Sequence, residues 1–139
     1  MSQTTLRGLL HRAADHAADW LEGVDERPIA PAADTPSMLD RLGGPMPELA
    51  TEPRAVLDDL AAQAEDGLMA MNAPRFFGWV IGGVQPAALA ADWLVSAWDQ
   101  NTGLAWPTPL TSAAEEIAGG WLLELFGLPA AARAVTWAI

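Results

Sequence analysis

The placement of proline and glycine sets the strongest limit on what this chain can fold into. Between Arg27 and Pro53 lie six prolines (Pro28, Pro31, Pro36, Pro45, Pro47 and Pro53) and the pair Gly43 and Gly44. Proline lacks an amide donor and clashes with the preceding turn, so regular structure there is limited to a short turn of helix around Ser37 to Leu42. A second irregular stretch, residues 67 to 85, alternates glycines with large apolar side chains and has neither helical nor strand periodicity. Glycines beside large aromatics indicate backbone passing close to packed protein or to a ligand.

What remains reads as helix. Residues 4 to 22 place Leu6, Leu9, Leu10, Ala13, Ala14, Ala17, Trp20 and Leu21 on one broad face, and Gly23 is a stop. Thr51 is positioned to cap a second helix with Pro53 in its first turn, burying Val56, Leu57, Leu60, Ala61 and Ala64 up to about Asp66. Pro86 opens a third helix, to about Gln100, with Ala90, Trp93, Leu94, Ala97 and Trp98 as its buried face. Asn101 to Pro107 reads as a loop. Thr108 and Pro109 open a fourth helix, lined on one side by Ala113, Ala114, Ile117, Ala118, Trp121, Leu122 and Leu125 and closed by Gly127 and Pro129. The last ten residues read as the entry to a strand. The fold class expected is mainly α, with one region over 1–66 and a second over 67–139.

Seven basic against eighteen acidic side chains give a net charge of -11, while 51% of residues are apolar and 18% charged. So apolar a composition folds, alone or onto something else. The acidic balance excludes nucleic acid and anionic membrane surfaces as partners. The longest strongly apolar run, Phe76 to Val84, is broken by three glycines and is far short of the ~20 residues that span a bilayer. No signal peptide is visible. All seven basic residues are arginine and there is neither lysine nor cysteine. Lysine-based Schiff-base chemistry, thiolate nucleophiles and disulfides are therefore excluded, and the lack of cysteine fits a cytoplasmic location.

Chemistry within the chain is sparse. His11 and His16 are five apart on the first helix, about 140° around its axis, which is wrong for a shared metal and leaves them solvated or facing a partner. Glu115 and Glu116 are adjacent on a helix and do not form an acid–base pair. Gly82 and Gly83 have no phosphate-loop pattern around them. Trp20, Trp93 and Trp121 sit at core spacing, whereas Trp79 and Trp106 lie in irregular segments where ligand contact competes with packing.

Three stretches occur in a telling order: APRFFGWVIGGVQPAALAADWL at 73–94, WDQNTG at 98–103 and AEEIAGGWLLELFGLP at 114–129. With ERPIAP at 26–31 and LGGP at 42–45, they resemble the N-terminal part of the pyridoxal-phosphate-dependent group II decarboxylases, enzymes of fold type I. The resemblance covers nearly the whole chain and is most specific over 68–129. It implies N-terminal helices that wrap a neighbouring subunit and a segment lining the mouth of the active site. Phe76, Phe77, Trp79, Val80, Ile81 and Gly82 would line the substrate side of the pocket. Asn101, Thr102, Gly103 and Leu104, with Trp106 nearby, would reach it across the interface. The Schiff-base lysine and the phosphate loop of that family have no counterpart here, so the chain is not catalytic alone.

The resemblance thus implies a small subunit of a split decarboxylase-like enzyme. Its large partner subunit, in a heterodimer or a dimer of heterodimers, would bind most of the pyridoxal phosphate, and its substrate would be an amino acid. The other reading is a regulatory or interaction protein derived from that family. Ala73 stands where relatives often have histidine, which leaves open whether the reaction is decarboxylation or a diverted one.

Overall fold

In the computed structural model, residues 5–129, 131 and 132 are described. Among them the chain is helical with no strand, a mainly α fold. Of the last ten residues, expected to enter a strand, 131 and 132 are described and lie in no strand, and the rest lie outside the described residues. The helices are α1 (Leu6–Gly23), α2 (Thr35–Leu42), α3 (Pro53–Ala64), α4 (Pro86–Trp98) and α5 (Pro109–Leu125), with a 3-10 turn at Glu65–Gly67 after α3. Among the described residues no helix is long and apolar enough to cross a membrane.

Local chemistry explains the boundaries. The hydroxyl of Thr5 accepts the Gly8 amide at 3.2 Å and starts α1. Asp34 caps α2 by accepting the Ser37 amide at 3.0 Å and the Ser37 hydroxyl at 2.6 Å, which hold its carboxyl below its ordinary pKa. The expected cap of α3 is displaced by one residue. Glu52, not Thr51, accepts the Ala55 amide, at 3.0 Å, because its longer side chain reaches back over the turn that Pro53 begins. Pro86 and Pro109 occupy the first turns of α4 and α5, where a missing amide costs nothing. α5 ends in a Schellman motif: Gly127 adopts φ 62°, with Leu128 N bonded to Leu123 O at 2.8 Å and Gly127 N to Glu124 O at 3.1 Å.

The chain divides into two compact units, Met1–Val84 and Gln85–Ile139. In the first, α3 packs against α1, α2 and the 3-10 turn. Backbone bonds then fasten the proline-rich stretch to the segment after α3: Ala32 N and Ala33 N both donate to Asp66 O, at 2.8 and 2.9 Å, and Ala70 N donates to Ile29 O at 3.1 Å. Val24, Ala70 and Ala73 form a small buried cluster, with Ile29 packed on it. The long proline-rich stretch is therefore laid on its own unit.

The second unit departs from the expected pattern. Trp93, Leu94 and Trp98 of α4 and Ile117, Trp121, Leu122 and Leu125 of α5 are all exposed, and no apolar side chain of either helix is buried. The half-covered residues are instead Leu89 of α4 and Thr111, Ser112, Glu115, Gly119 and Leu123 of α5, so the faces expected to be buried are the exposed ones. Trp20, by contrast, is half-buried between α1 and the turn that follows it. In α3 the burial is also partial: Leu57, Ala61 and Ala64 are half-covered while Val56 and Leu60 stay exposed.

Candidate functional site

The first group of expected pocket residues lies in the loop that ends the first unit. Arg75 fixes this loop from below. Its Nη2 donates to the carbonyls of Asp25, at 2.7 Å, and Arg27, at 2.8 Å, tying the Arg-Phe-Phe stretch to the turn after α1. Phe76 and Trp79 meet edge to face with ring centroids 5.6 Å apart. Gly78 between them is needed for that contact, since a Cβ there would come within 2.9 Å of the Phe76 ring.

Trp79 and Val80 form the centre of a tight turn closed by Ile81 N and Gly78 O at 3.4 Å, and both have φ 56°. Positive φ at both central positions is the pattern of a type I′ turn, ordinarily made by Asn and Gly. For a β-branched valine this conformation costs about 1–3 kcal/mol. Phe77 is 90% exposed and Val80 fully so, so the strained turn displays its apolar side chains outward. Ile81 and Gly82 follow, also exposed.

The second group, Asn101 to Trp106, forms the α4–α5 loop of the second unit. Asp99 ends α4 in the left-handed region at φ 48°. The Asn101 side chain then accepts the Gly103 amide at 2.9 Å. Thr108 is buried, and its hydroxyl sits 2.5 Å from Asn101 O and 2.6 Å from Leu104 O, so it cinches the loop instead of capping α5. Thr102 is half-buried in this loop, while Leu104 and Trp106 point outward, Trp106 being 93% exposed.

Sequence reasoning missed a polar cluster between α1 and α3. Asp58 Oδ1 accepts Arg12 Nε at 2.6 Å and pairs with His16 Nε2 at 2.9 Å, while Arg54 Nε approaches Oδ2 at 3.5 Å. The hydrogen bond from Arg12, followed by that from His16, holds the Asp58 carboxyl at a pKa of about 2, and Arg12 is raised in return. The signal was present: Arg12 and His16 are four apart, on the half-buried side of α1 that carries Ala13, Ala17 and Trp20. Arg12, His16 and Asp58 line a cleft of about 680 Å³ that also contains Trp20, Leu57, Ala61 and Glu65 and none of the expected pocket residues. At its other end Arg27 lies 4.2 Å over the Trp20 ring and bonds Glu65 at 2.7 Å. Arg12 and Arg27 of this cleft are each paired with one of its carboxylates, Asp58 and Glu65, an arrangement that suits joining elements of the first unit. Among the described residues no group of His, Cys, Asp or Glu is arranged to hold a metal.

A pyridoxal phosphate needs a lysine amine for attachment and cationic or amide donors for its phosphate. The sequence has no lysine. Arg12, Arg27, Arg41 and Arg54 face carboxylates and Arg75 two carbonyls, while Arg7 is exposed on α1. Without a lysine, the residues present do not fit the group's covalent attachment.

Comparison with known proteins finds a similarity to tryptophan decarboxylase 1 of Oryza sativa subsp. japonica, 26% identical over 125 residues. The match takes in 89% of this chain and 24% of that protein, so the chain spans about a quarter of the length of the relative. No family model matches, and no solved structure matches. The similarity is to a decarboxylase, over most of this helical chain.

Proposed function

We propose that this chain is the non-catalytic small subunit of a pyridoxal-phosphate-dependent, amino-acid decarboxylase-like enzyme, whose large chain carries the cofactor and its lysine. One observation carries this reading: 89% of the chain matches a tryptophan decarboxylase, yet it contains no lysine. The exposed apolar side chains support it, because surfaces of this kind cost free energy in water and are covered in working assemblies.

In this reading residues 1–66 wrap the large chain and 67–139 shape the pocket. The turn at Phe77, Trp79 and Val80 supplies an apolar wall, with Phe76 held behind it by Trp79 and Arg75 anchoring its base. The loop from Asn101 to Trp106, stiffened by Thr108, reaches the pocket of a neighbouring subunit across the interface. Such surfaces exclude water from the reacting carbon and select an apolar or aromatic amino acid. Decarboxylation is the default reaction, in the cytoplasm, in a heterodimer or a dimer of heterodimers.

The test is reconstitution with a lysine-bearing polypeptide of the same genome that spans the rest of the decarboxylase length. Carbon dioxide release from aromatic amino acids is expected only when both chains are present. A large chain equally active alone would make this protein a regulator at most. Failure of the two to co-purify would remove the subunit reading altogether.

A further inference from the structure

Residues 85–132 carry charges of one sign. They include Asp92, Asp99, Glu115, Glu116 and Glu124 but no lysine, arginine or histidine. Every ion pair among the described residues lies in the first unit. On α5 these carboxylates have a definite place. At 100° per residue, Leu110, Ile117, Trp121, Leu122 and Leu125 fall within an arc of roughly 140°, and Glu124 and Glu115 stand about 20° beyond its two edges. The five apolar residues are 61%, 52%, 70%, 43% and 75% exposed in that order. An apolar stripe between two acidic margins has the anatomy of an interface, with a dry centre and a charged rim.

We infer that the α5 stripe docks onto an apolar polypeptide surface rimmed by lysine or arginine, on a chain other than a second copy of this one. Charge decides the partner. Two copies would set glutamate margins against each other, with no cation in residues 85–132 to relieve them and a net charge of -11 on each chain. An anionic lipid surface meets the same repulsion. A basic rim opposite Glu115 and Glu124 converts it into attraction and fixes the register of the helix. This inference does not depend on which cofactor or reaction the partner carries.

The test uses the whole chain and two synthetic amphipathic helical peptides of equal length, one built of Leu and Lys, the other of Leu and Glu. Binding is followed by tryptophan fluorescence and by titration at low and high salt. The Leu/Lys peptide is expected to bind, to weaken with salt and to lose about fivefold at low salt in Glu115→Gln/Glu124→Gln. The charge-matched control Asp40→Asn/Glu48→Gln, at exposed positions of the first unit, is expected to bind as the unaltered chain does. Equal loss in that control would show that net charge, not the α5 rim, drives binding. Equal binding of the Leu/Glu peptide, self-association in sedimentation equilibrium that shields Trp121, or tighter binding to phosphatidylglycerol vesicles would each overturn the inference.

Discussion

The two units of this chain solve the same problem in opposite ways. Both are apolar, and proline opens α2 and α3 in the first and α4 and α5 in the second. The first fastens itself: Ala70 and Ala73 are buried, Asp66 receives two backbone amides, and Asp58 gathers Arg12, His16 and Arg54. The second buries only Thr108 among its described residues and leaves two apolar helices uncovered. Helix propensity and good caps define α4 and α5, but isolated helices of this length are marginal without packing. The difference teaches that apolar content alone does not report a core, since the same composition serves a private contact in one unit and a surface in the other.

The largest break in this contrast is expected from Ala70→Leu. Ala70 is wholly buried, and forcing extra volume there costs roughly 1–3 kcal/mol, read as a lower urea midpoint for the first unit. Next, Val80→Asn places a residue that tolerates positive φ in the strained turn and is expected to stabilise it by about 1 kcal/mol, seen as a higher midpoint in the same titration. In the second unit, Gly119→Ala meets no neighbouring atom within 4 Å. It is expected to favour α5 by about 0.5–1 kcal/mol, measured as a gain in helical circular dichroism.

The smallest effect concerns Asp58, whose paired groups are part-exposed and screened by salt. Its folded pKa, about 2, lies below the ordinary value near 3.9. Its contribution is therefore present above that ordinary value and is lost as pH falls toward 2. Asp58→Asn is expected to flatten the acid limb of the stability curve over this window.

How much of this was readable from the residues differs by region. Pro86, Pro109 and Gly127 announce helix ends through backbone chemistry that acts locally, and the structure places the ends there. Apolar spacing marked faces on α4 and α5 that the structure leaves exposed, because periodicity says which side avoids water and not what covers it. The turn at Trp79 and Val80 was invisible, as neither residue is one that type I′ turns prefer. The spacing of Arg12 and His16 put both on one side of α1, but their meeting with Asp58, 42 to 46 residues away in sequence, depends on how α1 lies on α3, which that spacing does not encode.

Amide hydrogen exchange along the chain, alone and with the lysine-bearing large chain, tests the central claim most directly. Alone, α4, α5 and the turn at Phe77 to Ile81 are expected to exchange with little protection, while α1 and α3 are slowed. Adding the large chain is expected to protect α4, α5 and that turn together. Strong protection of α4 and α5 in the chain alone, or no change on adding the large chain, would contradict the account of these apolar surfaces as an interface.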